Sequence, residues 1–324
     1  MLTALAIAIA ALLIVALALL LFTRWHTQRL DTLYPPRGQF VEIEGGRIHL
    51  TDTAAIGAAR GTVLLIHGAS GNEADMRLPL ASRLAALGYR VVSVDRPGLG
   101  WSARLGGRDD ASPARQAQLL RAAAEKIGVQ RAIVIGHSLS GVLCLQLALD
   151  HRSFTQGLIL LAPVSHPWPG GIEFYYTVAA RPVVGPLFAH TLTLPIALAS
   201  INAALASVFH PQMTPDDYRA RTAVDLVLRP TNFQANAQDV AVIKDFVTRE
   251  APRYRAIAVP TVIVTGDKDG IVYTHIHSAG CAKDIPGATL TVLPGVGHSP
   301  HWAYPDAVVQ AVLQVSERMK VPRL

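Results

Sequence analysis

Cysteine is nearly absent: only Cys144 and Cys281 occur in 324 residues. Both fall in stretches that read as helices of a core, so they are expected to be free, buried thiols. They offer no disulfide framework and fix no redox compartment. Charge is also scarce, at 16% of residues against 51% hydrophobic. The formal net charge of +6 comes without a basic run, and aromatics are only 6% of the chain. That pattern argues against nucleic-acid binding and leaves a mild preference for acidic surfaces such as anionic lipid. The phosphate-cradling spacing Gly-x-x-x-x-Gly-Lys is missing and no Gly-x-Gly-x-x-Gly opens a helix, which disfavours nucleotide binding. There is no internal repeat and no low-complexity linker. The length suits one large domain, or one domain with an inserted subdomain.

What the chain has in excess is apolar sequence. Leu2 to Phe22 is an unbroken apolar run, and at about 1.5 Å per residue such a helix crosses the roughly 30 Å hydrocarbon layer. A secretory signal peptide calls for a basic start, a shorter apolar stretch and a small-residue cleavage site, and none of these is visible. Residues 1–23 are therefore read as a retained transmembrane anchor, and 24–36, with Pro35-Pro36, as a linker. Arg24 and Arg29 follow the run while only the terminal amine precedes it, which places the rest of the chain on the cytoplasmic side. A second stretch, Pro182 to Pro215, holds no acidic residue, lysine or arginine. It reads either as a second span or as a lid of short helices. Its internal prolines and the polar His190, Asn202 and His210 favour the lid.

Between these stretches the pattern is strand and helix in alternation. Gln39 to Ile43 and Arg47 to Thr51 flank Glu44-Gly45-Gly46 as a β-hairpin. Val63 to His67, Val91 to Asp95, Ala132 to Ile135, Leu158 to Leu161, Thr261 to Thr265 and Thr289 to Leu293 read as strands, with helices over Ala74–Leu87 and Ala111–Ile127. Continuous apolar strands separated by amphipathic helices predict a mostly parallel sheet covered on both faces. The expected organisation is a core over 37–164 and 251–324, interrupted by a helical insert at 165–250.

One stretch organises the rest. The apolar strand Ala132 to Ile135 breaks into Gly136-His137-Ser138-Leu139-Ser140-Gly141 and continues as an apolar helix. A serine at the tip of a strand–turn–helix is held in a strained backbone conformation with its hydroxyl projecting, and needs small neighbours. Ser138 is thus the candidate nucleophile, the alternative being an ordinary helix N-cap. Acyl transfer to serine also requires a base, an acid to hold the imidazolium, and two amide donors for the oxyanion. His298, in the glycine-rich loop after the last strand, is the candidate base. His301 is its competitor, and the flanking Gly295 and Gly297 favour His298. Asp269, just past a strand end, is the candidate acid, with Asp267 read as a turn residue. The oxyanion donors are expected to be the backbone amides of Leu139 and of Ala69 in the turn His67 to Asn72. Asp95 to Ser102 reads as a structural turn, with Trp101 lining a substrate pocket. His275 and His277 have no acidic or histidine cluster beside them and read as helix surface, so no metal is expected.

Together these stretches resemble the α/β-hydrolase superfamily over roughly residues 37–324. His67-Gly68 is similar to its oxyanion turn, Asp95 to Ser102 to its Asp-x-x-Gly-x-Gly-x-Ser turn, Gly136 to Gly141 to its nucleophile elbow, Gly266 to Asp269 to its acid loop, and Gly297-His298 to its histidine loop. The resemblance implies an α/β fold: an eight-stranded, mostly parallel sheet with a first antiparallel hairpin and a helical cap after the sixth strand. It departs at one position, where Ser140 stands in place of the last glycine of Gly-x-Ser-x-Gly. Ser138 argues against the aspartate-nucleophile branches, the epoxide hydrolases and haloalkane dehalogenases. The expected activity is that of a membrane-anchored serine hydrolase needing no cofactor and acting on an apolar, lipid-like ester. The same triad could serve C–C bond hydrolysis or cofactor-free peroxidation. A binding protein that keeps the fold is the non-enzymatic rival.

Overall fold

In β3 (Gly61–Ile66) successive side chains point to opposite faces of the sheet. Val63 and Leu65 join one buried cluster, and Leu64 and Ile66 join another. The computed structural model describes residues 1–320, so the last four residues of the expected 251–324 core lie outside the described residues. Eight strands form one sheet: β1 (Gln39–Ile43), β2 (Gly46–Thr53), β3, β4 (Tyr89–Val94), β5 (Ala132–His137), β6 (Thr155–Leu161), β7 (Thr261–Gly266) and β8 (Thr289–Leu293), in the order β1-β2-β4-β3-β5-β6-β7-β8. β1 and β2 are antiparallel neighbours, β2 is antiparallel to β4, and all other pairs are parallel. The two apolar faces account for the sequence pattern, because a parallel strand with helices above and below has no polar side to show.

The chain opens with α1 (Leu2–Leu33), 32 residues long and therefore continuous well past Phe22. Most of the stretch expected as a linker is helical; the break comes at Pro35-Pro36, where proline cannot continue the helix. Leu2 to Phe22 exposes apolar side chains on every face, while Leu30 is buried against the insert. One face of the sheet carries α2 (Glu73–Ala86), whose Met76, Leu80 and Leu84 pack with Val308, Val312 and Val315 of the C-terminal helix. α3 (Pro113–Lys126) and α4 (Ser140–Asp150) cover the other face. Cys144, in α4, is a free buried thiol, as expected.

Between β6 and β7 lie α5 (Phe174–Ala179), α6 (Val184–Thr191), α7 (Thr193–Phe209), α8 (Tyr218–Thr222) and α9 (Pro230–Glu250). α6 and α7 meet at 65°, so the uncharged segment is bent, not one straight rod. After β7 come α10 (His277–Asp284), α11 (Pro300–Ala303) and α12 (Pro305–Lys320). Cys281 is buried in α10, again unpaired.

A buried ion pair ties the insert to the sheet. Arg96, after β4, is fully buried and bonded to Asp239 of α9, whose other oxygen accepts from Arg104 at 2.8 Å. Removing one partner of such a pair strands a charge in a medium that solvates it poorly. Asp239→Ala is therefore expected to cost about 3–5 kcal/mol, read as a lower midpoint in urea denaturation. An unchanged midpoint would mean that the pair does not hold the insert down.

Candidate active site

β5 ends at His137, and the chain must reverse into α4 within two residues. Ser138 carries the turn with φ at +53°, a left-handed conformation that costs a side-chain-bearing residue energy. It is held there from both sides. The Ser138 N–H donates to the Leu161 carbonyl, and its own carbonyl accepts from Val164 and Gly141, all at 2.9 Å. The crossing is tight: a Cβ on Gly136 would lie 2.5 Å from the Ser140 carbonyl, and one on Gly141 would lie 2.4 Å from Pro163. Ser140, the departure from the glycine pattern, is accommodated because its hydroxyl donates to the carbonyl of His67. The substituted position thereby ties the elbow to the turn expected to supply an oxyanion donor.

His298 lies in the loop between β8 and α11. Its Nε2 is 2.9 Å from Ser138 Oγ, and its Nδ1 is 2.8 Å from Asp269 Oδ2. The other oxygen of Asp269 accepts the N–H groups of Ile271 and Val272, each at 2.9 Å, which fixes the carboxylate. Glycines let the two loops meet, since a Cβ on Gly266 would lie 2.0 Å from the Val296 carbonyl. Gly297 similarly meets the carbonyl of His210 in the insert, where a Cβ would be at 1.9 Å. Asp267 instead accepts from the Gly295 N–H at an exposed turn. The competitor His301 is buried, with its Nε2 3.3 Å from Asp75 Oδ2.

The turn after β3 abuts the elbow. A Cβ on Gly68 would stand 3.0 Å from that of Ser138. Among the described residues no protein acceptor takes the N–H of Ala69 or of Leu139. The turn itself is held by buried His67, whose Nδ1–H donates to the Gly68 carbonyl at 2.8 Å while Nε2 accepts the Arg96 N–H at 3.0 Å. Asn236 of α9 grips the same turn, accepting the Ser70 N–H at 2.7 Å and donating to its hydroxyl. Sequence reasoning missed Asn236 because its partner is 166 residues away.

Trp101 sits elsewhere. Its indole donates to the Tyr34 carbonyl, and it walls a crevice with Tyr34, Asn72, Asp95 and Leu226 that includes none of Ser138, Asp269 and His298. The Asp95 turn is structural, as expected: the carboxylate accepts the Glu73 and Trp101 N–H groups and pairs with His49. His277, expected at the surface, is instead buried, with Nδ1 accepting the N–H groups of Ser165 and His166.

Burial, with Arg96 adding to it, lowers the pKa of His67 to about 4. The unfolded chain takes up this proton near pH 6.5. Between those values only the unfolded state is protonated, so stability contributed by neutral His67 is present at pH 7 and declines as the pH falls towards 4. Thermal midpoints from pH 7 to 4.5 are expected to drop, and to drop less steeply in His67→Asn. Parallel profiles for the two proteins would contradict this.

A family model described as "Alpha/beta hydrolase family" matches residues 63–311. The chain is 26% identical over 275 residues to a 2-hydroxy-6-oxo-6-phenylhexa-2,4-dienoate hydrolase of Burkholderia cepacia, covering 81% of this chain and 88% of that one. It is also 26% identical over 273 residues to a pimeloyl-[acyl-carrier protein] methyl ester esterase of Edwardsiella ictaluri, covering 82% and 96%. Among solved structures, a membrane phospholipase A described as a bacterial virulence factor superposes with a TM-score of 0.69 at 21% identity, over 99% of this chain and 97% of that one. At that identity the superposition speaks for the fold alone, and at that coverage the shared fold takes in the N-terminal helix. With the matched segment spanning six of the eight strands in part or whole, the chain belongs to the α/β-hydrolase family and is a hydrolase.

Proposed function

We propose that the chain is a membrane-anchored serine hydrolase that cleaves an ester or related acyl bond of an apolar substrate. The observation that carries this reading is the unbroken hydrogen-bonded series Ser138–His298–Asp269. Ser138 Oγ attacks the carbonyl carbon as His298 Nε2 takes its proton, and Asp269 holds the imidazolium in register. The tetrahedral oxyanion is received by the N–H groups of Leu139 and Ala69. His298 then protonates the leaving group, and water activated by the same histidine releases the acyl group. No step calls for a cofactor.

The apolar substrate is inferred from the insert, taken as a cap over 165–250. Val183, Val184, Leu187, Leu192 and Ile196 are all exposed on its uncharged stretch. Retention of the anchor is inferred from its continuity: α1 runs through to Leu33, where Asp31 pairs with Arg229 of the insert at 3.0 Å. A cleaved leader would be separated from the folded domain, not built into it. Arg24 and Arg29 favour a cytoplasmic domain.

A panel of esters of increasing acyl length tests the reaction and the substrate class together. Longer acyl chains are expected to be preferred, and strict preference for short polar esters would count against the apolar site. A vinylogous diketone panel that includes 2-hydroxy-6-oxo-6-phenylhexa-2,4-dienoate, the compound in the Burkholderia relative's name, distinguishes C–C hydrolysis. Ser138→Ala and His298→Ala are each expected to lower kcat/KM by at least about 10³-fold, with Asp269→Asn also strongly impaired. A fluorophosphonate probe should label wild type but not Ser138→Ala. Labelling that survives this substitution would refute the assignment. The protein should remain in the membrane pellet after alkaline carbonate washing, and release into the supernatant would remove the anchor from the proposal.

A further inference from the structure

Beneath the elbow lies a second cluster that the hydrolytic series does not use. Asp75 of α2, His137 at the end of β5 and His301 of α11 are each more than nine-tenths buried. One ligand-type atom from each lies within 4.8 Å of the other two. His301 Nε2 is 3.3 Å, and His137 Nδ1 3.9 Å, from the same oxygen, Asp75 Oδ2. The two imidazole rings are tilted at 53° with centroids 4.4 Å apart.

The hydrogen bonds around the cluster decide which atoms are free. His137 Nε2 lies 2.8 Å from the His298 carbonyl, which can only accept, so this nitrogen carries the proton. In the neutral ring Nδ1 is then a bare lone pair. Among the described residues no protein group hydrogen-bonds to it, and it lies 3.9 Å from a carboxylate oxygen, a second acceptor. Two acceptors opposed in a dry interior call for a positive centre between them, and the hydrogen bond from His301 Nε2 to Asp75 Oδ2, which leaves His301 Nδ1 without a partner among the described residues, would give way to that ion. On its other side Asp75 is already oriented: Oδ1 accepts the Tyr218 hydroxyl and the Trp302 indole N–H, both at 2.9 Å. A histidine whose far N–H is given to a backbone carbonyl, beside a carboxylate fixed by hydrogen bonds, is the outer support that metal ligands characteristically have.

We propose that Asp75 Oδ2, His137 Nδ1 and His301 Nε2 form a site for a divalent transition metal of the zinc class. Two imidazoles and one carboxylate suit zinc, with a fourth position for water. Ligand atoms about 2.0–2.2 Å from Zn²⁺ in a tetrahedron stand roughly 3.4 Å apart; here the two nitrogens are 3.3 and 3.9 Å from the carboxylate oxygen and within 4.8 Å of each other, so the ligands draw in as the ion enters.

The site is structural. His137 immediately precedes Ser138, and His301 follows His298 by three residues, so one ion would clamp the elbow to the histidine loop. The consequence for catalysis rests on the reading of Ser138 and His298 given above; the metal site itself does not. Full-length protein in detergent, stripped with chelator and then given zinc alone, is expected to retain about one zinc per chain by elemental analysis and to melt at a higher temperature. Asp75→Asn keeps an acceptor for Tyr218 and Trp302, and His301→Gln keeps a polar side chain. Each is expected to cut retained zinc at least tenfold while circular dichroism stays unchanged. X-ray absorption of the loaded wild type, which needs no variant to fold, should show a nitrogen and oxygen shell with imidazole scattering. Wild type that retains no zinc, a sulfur shell indicating Cys144 or Cys281, or full retention in both variants would each overturn the site. Loss of fluorophosphonate labelling would leave it standing.

Discussion

The left-handed backbone at Ser138 is the constraint from which the rest of this molecule can be argued. A residue with a side chain adopts φ near +53° only where its surroundings leave no alternative. Here those surroundings are backbone bonds to β6 and to the segment that follows it, made at Leu161 and Val164, and close crossings at Gly136 and Gly141. The strain is sustained by the sheet. In return Oγ stands clear of its own helix, within reach of an imidazole carried by a loop 160 residues further on.

That loop is positioned as tightly as the elbow. Gly266 and Gly297 allow backbone to pass against backbone, Asp269 is fixed by two amides, and Gln212 of the insert bonds both Gly295 and Gly297. The insert is therefore part of the site's framework. It reaches the histidine loop through residues 210–212, the turn after β3 through Asn236, and the sheet through Asp239. Movement of the insert would be felt by all three loops at once, a coupling that residue-by-residue reading of the chain does not expose.

Much of this was legible beforehand, because local rules govern it. Strand–helix alternation, glycine spacing and the order serine, aspartate, histidine are short-range or ordinal signals, and they led to the sheet and to Ser138, Asp269 and His298. Other features depend on partners far along the chain. Ser140 read as a tolerated departure, yet its hydroxyl bonds the carbonyl of His67. The helix beyond Phe22 was hidden by polar residues that a linker would also carry; docking of Leu30 and Asp31 onto the insert is what keeps them ordered. Trp101 read as pocket lining from its glycine-rich turn, but the turn delivers it to the side where α1 meets the insert. His137 read as part of the elbow and His301 as a competing base, and their convergence on Asp75 is a tertiary fact.

The central claim is spatial: a reactive hydroxyl, an imidazole and two amide donors share one small volume. A crystal structure of the protein inhibited by a small alkyl fluorophosphonate tests it most directly. The account predicts phosphorus bonded to Ser138 Oγ, with one phosphoryl oxygen about 2.7–3.1 Å from both the Leu139 and Ala69 nitrogens. An adduct on another residue, or one whose oxygen turns away from those two amides, would contradict it.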